Sequence, residues 1–454
     1  MIQLPTSLLQ SLENVQGFSM ESFLKVHEDG RSLTSIRLNP LKKTKAIDLL
    51  PLDNAVPWCK YGMYLTKRPS FTFDPVFHGG AYYVQEASSM FLQHIIDQLY
   101  KNVDAPKRVL DLCGAPGGKS TLLAALLPDS LIVANEVIKS RVSVLSENIA
   151  KWGSGNVVVT NNDPKDFRNL PGYFDLMVID APCSGSGLFR KDNEAISEWS
   201  EDNVQMCSMR QQRILSDAIG SLKQHGYLIY STCSYSQSED EDICDWIVAQ
   251  FNLQPVAITI DINWGIVETN SSFRKVPAYR FYPDKLKGEG FFVACFKQEN
   301  VVDEYYGYHT HVKEIDKHKK AIAAPFLNAP DDFILNDQKE IIIAFHKKWE
   351  EEYATLWKLL NVRKAGTAIG TIKGKDFIPH HELALSQLMN QGVQKANLDK
   401  EQALQYLRRQ NFELDISQKG WTICRYEDIN LGWMKVLPNR VNNYYPTEWR
   451  ILKP

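Results

Sequence analysis

The sequence predicts an α/β protein whose core is a Rossmann-like, doubly wound and mostly parallel sheet. Three observations carry this prediction. Short apolar runs alternate with helical patterns from about residue 105 to residue 298, the first run leads into a glycine-rich loop, and acidic residues end the next three runs. Apolar runs of this kind are typical of strands that helices cover on both faces of a parallel sheet.

The predicted elements of this core follow one another in strict order. The strands are RVLDLC (108–113), LIVANE (131–136), VVVTNND (157–163), FDLMVID (174–180), GYLIYSTCS (226–234) and GFFVACF (290–296). The helices are TLLAALL after the glycine-rich loop, KSRVSVLSENIAKWG (139–153), NVQMCSMRQQRILSDAIGSLK (203–223) and EDEDICDWIVAQF (239–251). Since ligands of doubly wound sheets bind at the carboxyl ends of the strands, the residues that follow each strand are the candidates for a site.

Regions of different character flank the core, which we expect to span residues 71–298. Residues 1–70 predict a small helical or mixed domain with two short helices and a strand, TSIRLNP. Residues 299–385 predict a linker and a small middle domain that holds a helix over 340–360, EIIIAFHKKWEEEYATLWKLL. Residues 386–454 form a last domain that is rich in aromatic and basic residues near its end.

Composition places the chain among ordinary globular proteins. Of its 454 residues, 44% are hydrophobic and 23% are charged, and no apolar run is long enough to cross a bilayer. The start of the chain has no signal-peptide pattern, so we expect a cytoplasmic protein. The eight cysteines never form a CxxC pair, which argues against structural zinc and against a disulfide scaffold, and no metal is expected. The net charge of −3 does not by itself indicate a nucleic-acid partner.

The loop after the first strand predicts a cofactor site. It consists of Cys113, Gly114, Ala115, Pro116, Gly117, Gly118 and Lys119. Its glycines allow close approach of the backbone to a ligand, and the helix that follows favours an anionic group. The loop matches neither the Walker pattern nor GxGxxG.

Three carboxylates extend this predicted cofactor site along the sheet edge. Glu136, Asp163 and Asp180 end the second, third and fourth strands. Glu136 stands where an acid accepts hydrogen bonds from ribose hydroxyls, and Asp163 stands where an adenine amino group is expected. Together with the glycine loop they indicate a nucleoside cofactor and favour S-adenosylmethionine over a nicotinamide, without excluding the latter.

Two cysteines follow neighbouring strands and predict covalent chemistry. Cys183 lies in DAPCSGSG after the fourth strand, and Cys233 lies in STCS after the fifth. A thiolate that adds to carbon 6 of a cytosine makes carbon 5 nucleophilic toward a sulfonium methyl group, which divides one hard step into easier ones. Asp180, three residues before Cys183, is placed to bond the ring nitrogen or the exocyclic amine of the base.

These segments resemble the RNA 5-methylcytosine methyltransferases of the Sun/Fmu type, and specifically their branch for ribosomal RNA, the RsmF (YebU-like) branch. The motifs that carry the resemblance are HGGAYYVQEASSM (78–90), DLCGAPGGKS (111–120), DAPCSGSG (180–187), STCSYSQSEDE (231–241) and RFYPDKLKGEGFFVACF (280–296). GWMKV (432–436) and NRVNNYYPTEWR (439–450) are similar to the tail of this branch, whose last domain is PUA-like.

The resemblance implies roles that the residues alone leave open. It implies that Cys233 is the nucleophile and that Cys183 takes part in release of the product. DNA cytosine methyltransferases use a Pro-Cys nucleophile instead, so Cys183 is the alternative. It also implies that Cys113–Lys119, Glu136, Asp163 and Asp180 bind S-adenosylmethionine, although many relatives have Asp at the position of Glu136.

The partner that the resemblance implies is ribosomal RNA, specifically 16S ribosomal RNA, either free or within the assembled small subunit. The N-terminal region and the PUA-like domain would then bind RNA. A transfer-RNA cytosine methyltransferase and a non-catalytic RNA-binding ribosome-assembly factor are the alternatives. Phosphate contacts are expected from Arg190 and Lys191. In the tail, RNA contacts are expected from Arg408, Arg409, Trp433, Lys435, Arg440, Tyr444, Tyr445, Trp449 and Arg450.

Overall fold

A small antiparallel sheet with flanking helices opens the chain. The computed structural model describes residues 4–30, 33–307, 311–414 and 418–452. The first elements are α1 (Thr6–Leu12), α2 (Met20–Glu28), β1 (Thr34–Leu38), β2 (Leu52–Ala55), β3 (Gly62–Leu65), α3 (Pro75–His78) and β4 (Tyr82–Val84). The four strands pair in the order β2-β3-β1-β4.

The core that follows is an alternating series of strands and helices, as predicted. Its first half consists of α4 (Leu92–Leu99), β5 (Arg108–Asp111), α5 (Gly118–Leu126), β6 (Leu131–Asn135), α6 (Lys139–Trp152) and β7 (Val157–Thr160). Its second half consists of β8 (Phe174–Asp180), α7 (Asn193–Glu198), α8 (Glu201–Ala218), β9 (Leu222–Thr232), α9 (Glu241–Phe251), β10 (Gln254–Val256), β11 (Val267–Asn270), β12 (Pro277–Phe281) and β13 (Phe291–Lys297).

The central sheet has the order β11-β12-β13-β9-β8-β5-β6-β7, and its strands β9 to β7 are parallel. The order reverses between β5 and β8, which is the switch point where doubly wound sheets bind ligands. β6 and β7 are buried along their whole length, as expected of strands covered on both faces. The late strand β13 pairs antiparallel with β9 and continues into an antiparallel edge. The Rossmann-like fold class is therefore confirmed.

After β13, the described residues form two further four-stranded sheets and the helices that accompany them. The elements of this part are α10 (Lys317–Ala323), β14 (Phe333–Gln338), β15 (Ile341–His346), α11 (Glu350–Leu359), β16 (Val362–Ala365), β17 (Thr367–Lys373), β18 (Asp376–Pro379), α12 (His381–Leu385), β19 (Lys395–Asn397), α13 (Lys400–Leu407), β20 (Gly420–Tyr426), β21 (Ile429–Leu437) and β22 (Arg440–Asn443). One sheet has the order β14-β15-β17-β18 and the other the order β19-β20-β21-β22. β16 belongs to neither of them, because it pairs antiparallel with β7 and extends the central sheet. Part of the predicted linker, residues 308–310, lies outside the described residues. None of the helices in the described ranges is long and apolar enough to cross a membrane.

The single helix predicted over 340–360 is wrong. Its first part is the strand β15, which pairs with β14 in a hairpin, and only its second part is the helix α11. Lys339 and Glu340 make the hairpin turn with positive φ angles of 51° and 74°. A turn with two such residues normally contains Asn-Gly or Asp-Gly, so Lys-Glu gave no signal for it. The run of isoleucines from residue 341 to residue 343 suits a strand because β-branched side chains are stiff.

The N-terminal sheet is attached to the core through polar side chains. The Asn39 amide donates to the carbonyl oxygens of Gly80 and Trp152, each at 2.9 Å. The Lys42 ammonium donates to the carbonyl oxygens of Gly79 and Lys151 at 2.8 and 2.6 Å, and burial lowers its pKa to about 7. A cation beside the last carbonyls of α6 is favourable at a helix C-terminus. These contacts fix the first domain against the C-terminal end of α6.

Candidate active site

The two cysteines that follow the fourth and fifth predicted strands lie side by side. β8 and β9 are neighbouring parallel strands, with Asp180 in register with Ser231, so the loops after them leave the same edge of the sheet. The sulfur atoms of Cys183 and Cys233 are 3.1 Å apart, and both residues are partly buried. A disulfide bond is about 2.05 Å long, so these are two separate thiols in contact.

A glycine pair keeps the two loops together. The amide of Gly187 donates to the Cys233 carbonyl oxygen at 2.8 Å, and the amide of Gly290 donates to the Gly187 carbonyl oxygen at 3.2 Å. A Cβ atom on Gly187 would lie 2.6 Å from the Gly290 oxygen and 2.7 Å from the Cys233 oxygen. Only glycine at position 187 therefore allows these three backbone segments to come so close. As a result, the start of β13 packs against the loops that contain the two cysteines.

Hydrogen bonding and burial favour the protonated form of the Cys183 thiol. Its hydrogen bond with the Cys233 sulfur, its burial and the nearby charge of Glu239 all raise the pKa of the Cys183 thiol well above its usual range. A protonated Cys183 can donate its S–H to the Cys233 sulfur. The geometry thus suits one thiol as a donor and its neighbour as a nucleophile.

Asp180 connects the cysteines to the glycine loop. Its carboxylate accepts a hydrogen bond from the Ser231 hydroxyl at 2.8 Å and forms an ion pair with the Lys119 ammonium at 2.8 Å. The Asp180 side chain is 38% exposed, whereas that of Lys119 is 12% exposed and lies over the ring of Phe291. Asp180 therefore has a fixed charge partner and still faces open space.

The glycine loop is held from beneath by a buried acid. Asp111, at the end of β5, is fully buried, accepts a hydrogen bond from the Ser120 hydroxyl at 2.6 Å, and has a pKa raised to about 6 by its burial. Within the described residues, its other carboxylate oxygen has no hydrogen-bond partner. Gly117 begins α5 with a left-handed φ of 111°. Cys113, between them, is partly buried, and burial raises the pKa of its thiol.

The acids predicted at the ends of the second and third strands lie at the same edge of the sheet, and they differ in their present hydrogen-bond partners. Glu136 is buried and accepts from the amide of Ile138 at 2.8 Å, and Arg141 lies 3.3 Å from its second oxygen. Asp163 begins a short helical turn by accepting from the amide of Lys165 at 3.2 Å. Its second oxygen accepts from Arg213 at 2.9 Å. A carboxylate accepts about four hydrogen bonds, so both acids can take a further donor.

Several predicted RNA contacts are wrong because the side chains are buried. Arg190 is 9% exposed and lies against Glu289 and the Gly288 carbonyl oxygen at 3.4 Å, so it does not face solvent, in contrast to its exposed neighbour Lys191. In the tail, Trp433 and Tyr445 are 0% exposed and belong to the core. The exposed residues of the predicted tail surface are Arg409, Arg440, Tyr444 and Arg450, and the half-buried ones are Arg408, Lys435 and Trp449.

Sequence reasoning missed Glu239, which joins the two cysteine loops. Its fully buried carboxylate accepts hydrogen bonds from Ser184 and Ser234, the residues that follow the two cysteines. The acidic run that begins at Glu239 reads as a solvated helix start, because acids are rarely buried without a partner. The serines after each cysteine were the available signal. Among the described residues, no group of three or more His, Cys, Asp or Glu side chains is arranged to hold a metal ion.

Three family models match the chain over most of its length. The model for 16S rRNA methyltransferase RsmB/F matches residues 99–297. The model for the N-terminal domain of 16S rRNA methyltransferase RsmF matches residues 4–87, and that for the methyltransferase RsmF PUA domain matches residues 393–451. The last of these confirms the PUA-like C-terminal domain.

Relatives and solved structures agree with these models. Ribosomal RNA small subunit methyltransferase F of Aliivibrio fischeri is 32% identical over 91% of this chain and 90% of its own length. The corresponding protein of Aeromonas salmonicida is 31% identical with the same coverage. A methyltransferase homolog protein from Pyrococcus horikoshii is 29% identical, covers 65% of this chain and 100% of its own, and superposes with a TM-score of 0.51. NSun6 from the same organism, solved with SFG, shares the fold at 19% identity and a TM-score of 0.54.

The resemblance seen in the sequence motifs is thereby confirmed, since the identity extends over all three matched regions and nearly the whole length of both chains. The chain belongs to the RsmF family of RNA methyltransferases.

Proposed function

We propose that this protein transfers a methyl group from S-adenosylmethionine to carbon 5 of a cytosine in 16S ribosomal RNA, through a covalent bond between Cys233 and carbon 6 of the base. The observation that carries the proposal is the contact of the Cys183 and Cys233 sulfur atoms at 3.1 Å, after β8 and β9 and next to the switch point of the sheet. The relatives named above are small-subunit ribosomal RNA methyltransferases, which supports the choice of RNA.

The residues at the switch point fit the proposed cofactor. When bound, S-adenosylmethionine supplies an electrophilic methyl group. The unpartnered oxygen of Asp111 is a ready acceptor for an ammonium group, and the start of α5 at Gly117 offers backbone amides to a carboxylate. Glu136 and Asp163 have acceptor capacity left for ribose hydroxyls and an adenine amine. We assign Cys113–Lys119, Glu136, Asp163 and Asp180 to this binding site.

The chain's own part in the reaction begins with Cys233. Its thiolate forms a bond to carbon 6, the ring nitrogen takes up a proton from solvent, and carbon 5 becomes electron-rich. Asp180, paired with Lys119 and partly exposed, is the carboxylate that we assign to the exocyclic amine or the ring nitrogen of the base. This orients the ring and balances the charge that develops on it.

Release of the product requires two further changes. After methylation, carbon 5 carries both the methyl group and a hydrogen. The ring becomes aromatic again when carbon 5 gives its proton to solvent, the bond from carbon 6 to the Cys233 sulfur breaks with its electron pair on that sulfur, and the ring nitrogen returns its proton to solvent. We assign Cys183 to this release, because its sulfur is in contact with the Cys233 sulfur and its S–H can be donated to that sulfur as it leaves carbon 6. The base must be unpaired or flipped out of a helix to reach these thiols.

The test uses RNA that contains 5-fluorocytosine, because fluorine at carbon 5 cannot leave as a proton and the covalent adduct persists. Wild-type protein with labelled S-adenosylmethionine is expected to form an adduct that survives denaturing electrophoresis. Cys233→Ala should form no adduct and no methylated product. Cys183→Ala should still form the adduct, and should accumulate it even with ordinary cytosine if release is impaired.

The matched control is Cys295→Ala, a buried cysteine of β13 that lies in the hydrophobic core, which should retain adduct formation. Full methylation by Cys233→Ala together with loss of methylation in Cys183→Ala would reverse the two roles. Comparing 16S RNA, the assembled small subunit and transfer RNA as substrates tests the RNA partner. Methylation of transfer RNA alone, or RNA binding without any methylation, would overturn the proposed substrate or the proposed activity.

A further inference from the structure

We propose that Glu239 is a positioning residue for methyl transfer, whose carboxylate holds the Cys183 loop and the Cys233 loop in fixed register. The inference rests on the proposed function, in which both thiols act on one base. Glu239 lies in a short helical turn, Gln237–Glu239, between β9 and α9. It touches neither sulfur by hydrogen bond in the described structure, and acts through the residues that follow each cysteine.

The contacts of the Glu239 carboxylate are divided between the two loops. One oxygen accepts from the amide of Ser184 at 2.8 Å. The other accepts from the hydroxyl of Ser184 at 2.6 Å and from the hydroxyl of Ser234 at 2.6 Å. Hydrogen bonds to a carboxylate are short and about twice as strong as neutral ones. A single carboxylate therefore connects two loops that follow different strands, β8 and β9.

Gln211, from α8, completes the arrangement. Its side-chain amide donates to the Pro182 carbonyl oxygen at 3.1 Å and lies 3.4 Å from the first Glu239 oxygen. Residues on both sides of Cys183 are thus tied to groups that belong to other elements. Gln211 is fully buried, so these bonds are shielded from competing water.

Burial of this carboxylate is costly, which argues that the position has a purpose. Glu239 is 0% exposed, and burial raises the pKa of its carboxyl group while the serine hydrogen bonds lower it. A buried carboxylate loses its hydration, so it needs hydrogen bonds of the kind that Ser184 and Ser234 donate here. Its negative charge also contributes to the raised pKa of Cys183, which keeps the proton on the thiol assigned to release.

Glu239→Ala removes all four contacts and should let the two loops move apart. A displacement of about 1 Å at a reacting group can cost about 100-fold in rate. We expect kcat for methyl transfer to fall by that order, with KM for RNA within about threefold of wild type because no RNA-binding group is changed. Glu239→Gln keeps the side-chain volume and some of the bonds, so its loss of kcat should be smaller, on the order of 10-fold.

A second measurement reads the distance between the thiols without any RNA or cofactor. Phenylarsine oxide binds two thiols together only when they are close. Wild-type protein should bind it tightly through Cys183 and Cys233, and Cys183→Ala should not. Glu239→Ala should weaken this binding by about 10-fold or more, and Ser184→Ala combined with Ser234→Ala should weaken it in the same direction if Glu239→Ala fails to fold.

The matched control is Asp245→Ala. Asp245 is another buried acid that bonds one serine hydroxyl, that of Ser271 at 2.6 Å, and two backbone amides, those of Phe273 and Arg274 at 2.9 and 2.6 Å. It lies on α9 and holds the turn between β11 and β12, away from the cysteines. The substitution Asp245→Ala should lower the melting temperature of the protein but leave its binding of phenylarsine oxide unchanged.

Unchanged phenylarsine oxide binding in folded Glu239→Ala, or kcat within threefold of wild type, would overturn the proposal. A loss of phenylarsine oxide binding in Asp245→Ala equal to that in Glu239→Ala would also overturn it, since the effect would then be one of general stability. If the proposed function fails instead, wild-type protein forms no adduct with fluorinated RNA, while the arsenical assay still reports on the two loops.

Discussion

Replacing Arg280 by methionine should strongly destabilise the protein, because Arg280 is the one cation inside a buried cluster of acids in the described structure. Its guanidinium bonds both oxygens of Glu241, one of them at 2.7 Å, and lies 3.1 Å from Asp240. It also donates to the Tyr235 carbonyl oxygen at 3.0 Å. The three charged side chains are at most 4% exposed.

The expected magnitude follows from what the substitution leaves behind. Methionine fills much of the same volume, so the loss is mainly that of the charge and its hydrogen bonds. Removing one partner of a buried ion pair costs about 3–5 kcal/mol, because a buried charge then has no compensation. Here two carboxylates are left, and each keeps one hydroxyl donor, Thr232 at 2.6 Å for Asp240 and Thr269 at 3.2 Å for Glu241. We therefore expect about 4 kcal/mol, a large part of a total stability of about 5–15 kcal/mol.

The loss should depend on pH with a definite sign. Burial already raises the pKa of Asp240 well above its usual range, and the charge of Arg280 opposes that rise. Without Arg280 the pKa of Asp240 in the folded protein rises further, whereas in the unfolded chain it keeps its ordinary value. The folded variant then holds a proton that the unfolded chain releases, so its stability falls as the pH rises through this interval.

Urea unfolding followed by fluorescence at pH 5.5 and at pH 8 measures both effects. The difference in unfolding free energy between wild type and Arg280→Met should be larger at pH 8. Glu241→Gln in the same background should recover part of the loss, because it removes one of the uncompensated charges. A loss below about 1 kcal/mol, or one that is equal at both pH values, would refute the reasoning.

Three further outcomes are expected from single substitutions. Gly187→Ala should reduce adduct formation in the fluorinated-RNA assay by about 10-fold or more, because its Cβ atom would lie 2.6 Å from the Gly290 carbonyl oxygen. Gly220 has open space around it, so Gly220→Ala should have no effect in the same assay. Lys191→Ala should weaken RNA binding and reduce the slope of log affinity against log salt by about 0.7–0.9, measured by titration at several salt concentrations. Trp433→Ala should lower the free energy of unfolding, measured with urea, by about 3–5 kcal/mol, because the side chain is 0% exposed and packs in the C-terminal core. Its main effect should be on stability and not on RNA affinity.

Local pattern was sufficient to predict the order of strands and helices in the core. Buried strands such as β6 and β7 are continuous apolar runs, and the loops between them contain the residues that break regular structure. The same reasoning failed over 340–360, where the strand β15 depends on its partner β14. Pairing partners are distant in sequence or joined by a turn without a signature, so periodicity alone could not separate strand from helix there.

The site was also predictable from the sequence only in part. The rule that the ends of parallel strands share one edge of the sheet predicts that Cys183, Cys233 and Asp180 lie together. That rule gives no contacts, so it could not identify Glu239 as the acid between the loops. It also left Arg190 as a surface residue, although the structure pairs it with Glu289 in the interior.

The sequence by itself therefore determined the fold class, the family and the residue types at the sheet edge, because these depend on short-range patterns and on the chemistry of individual side chains. Tertiary structure alone decided that the two sulfur atoms touch at 3.1 Å, that a buried carboxylate joins their loops, and which cations reach solvent. These properties depend on which segments meet across long separations in the chain, and burial then sets the hydrogen bonding and the charge of each group.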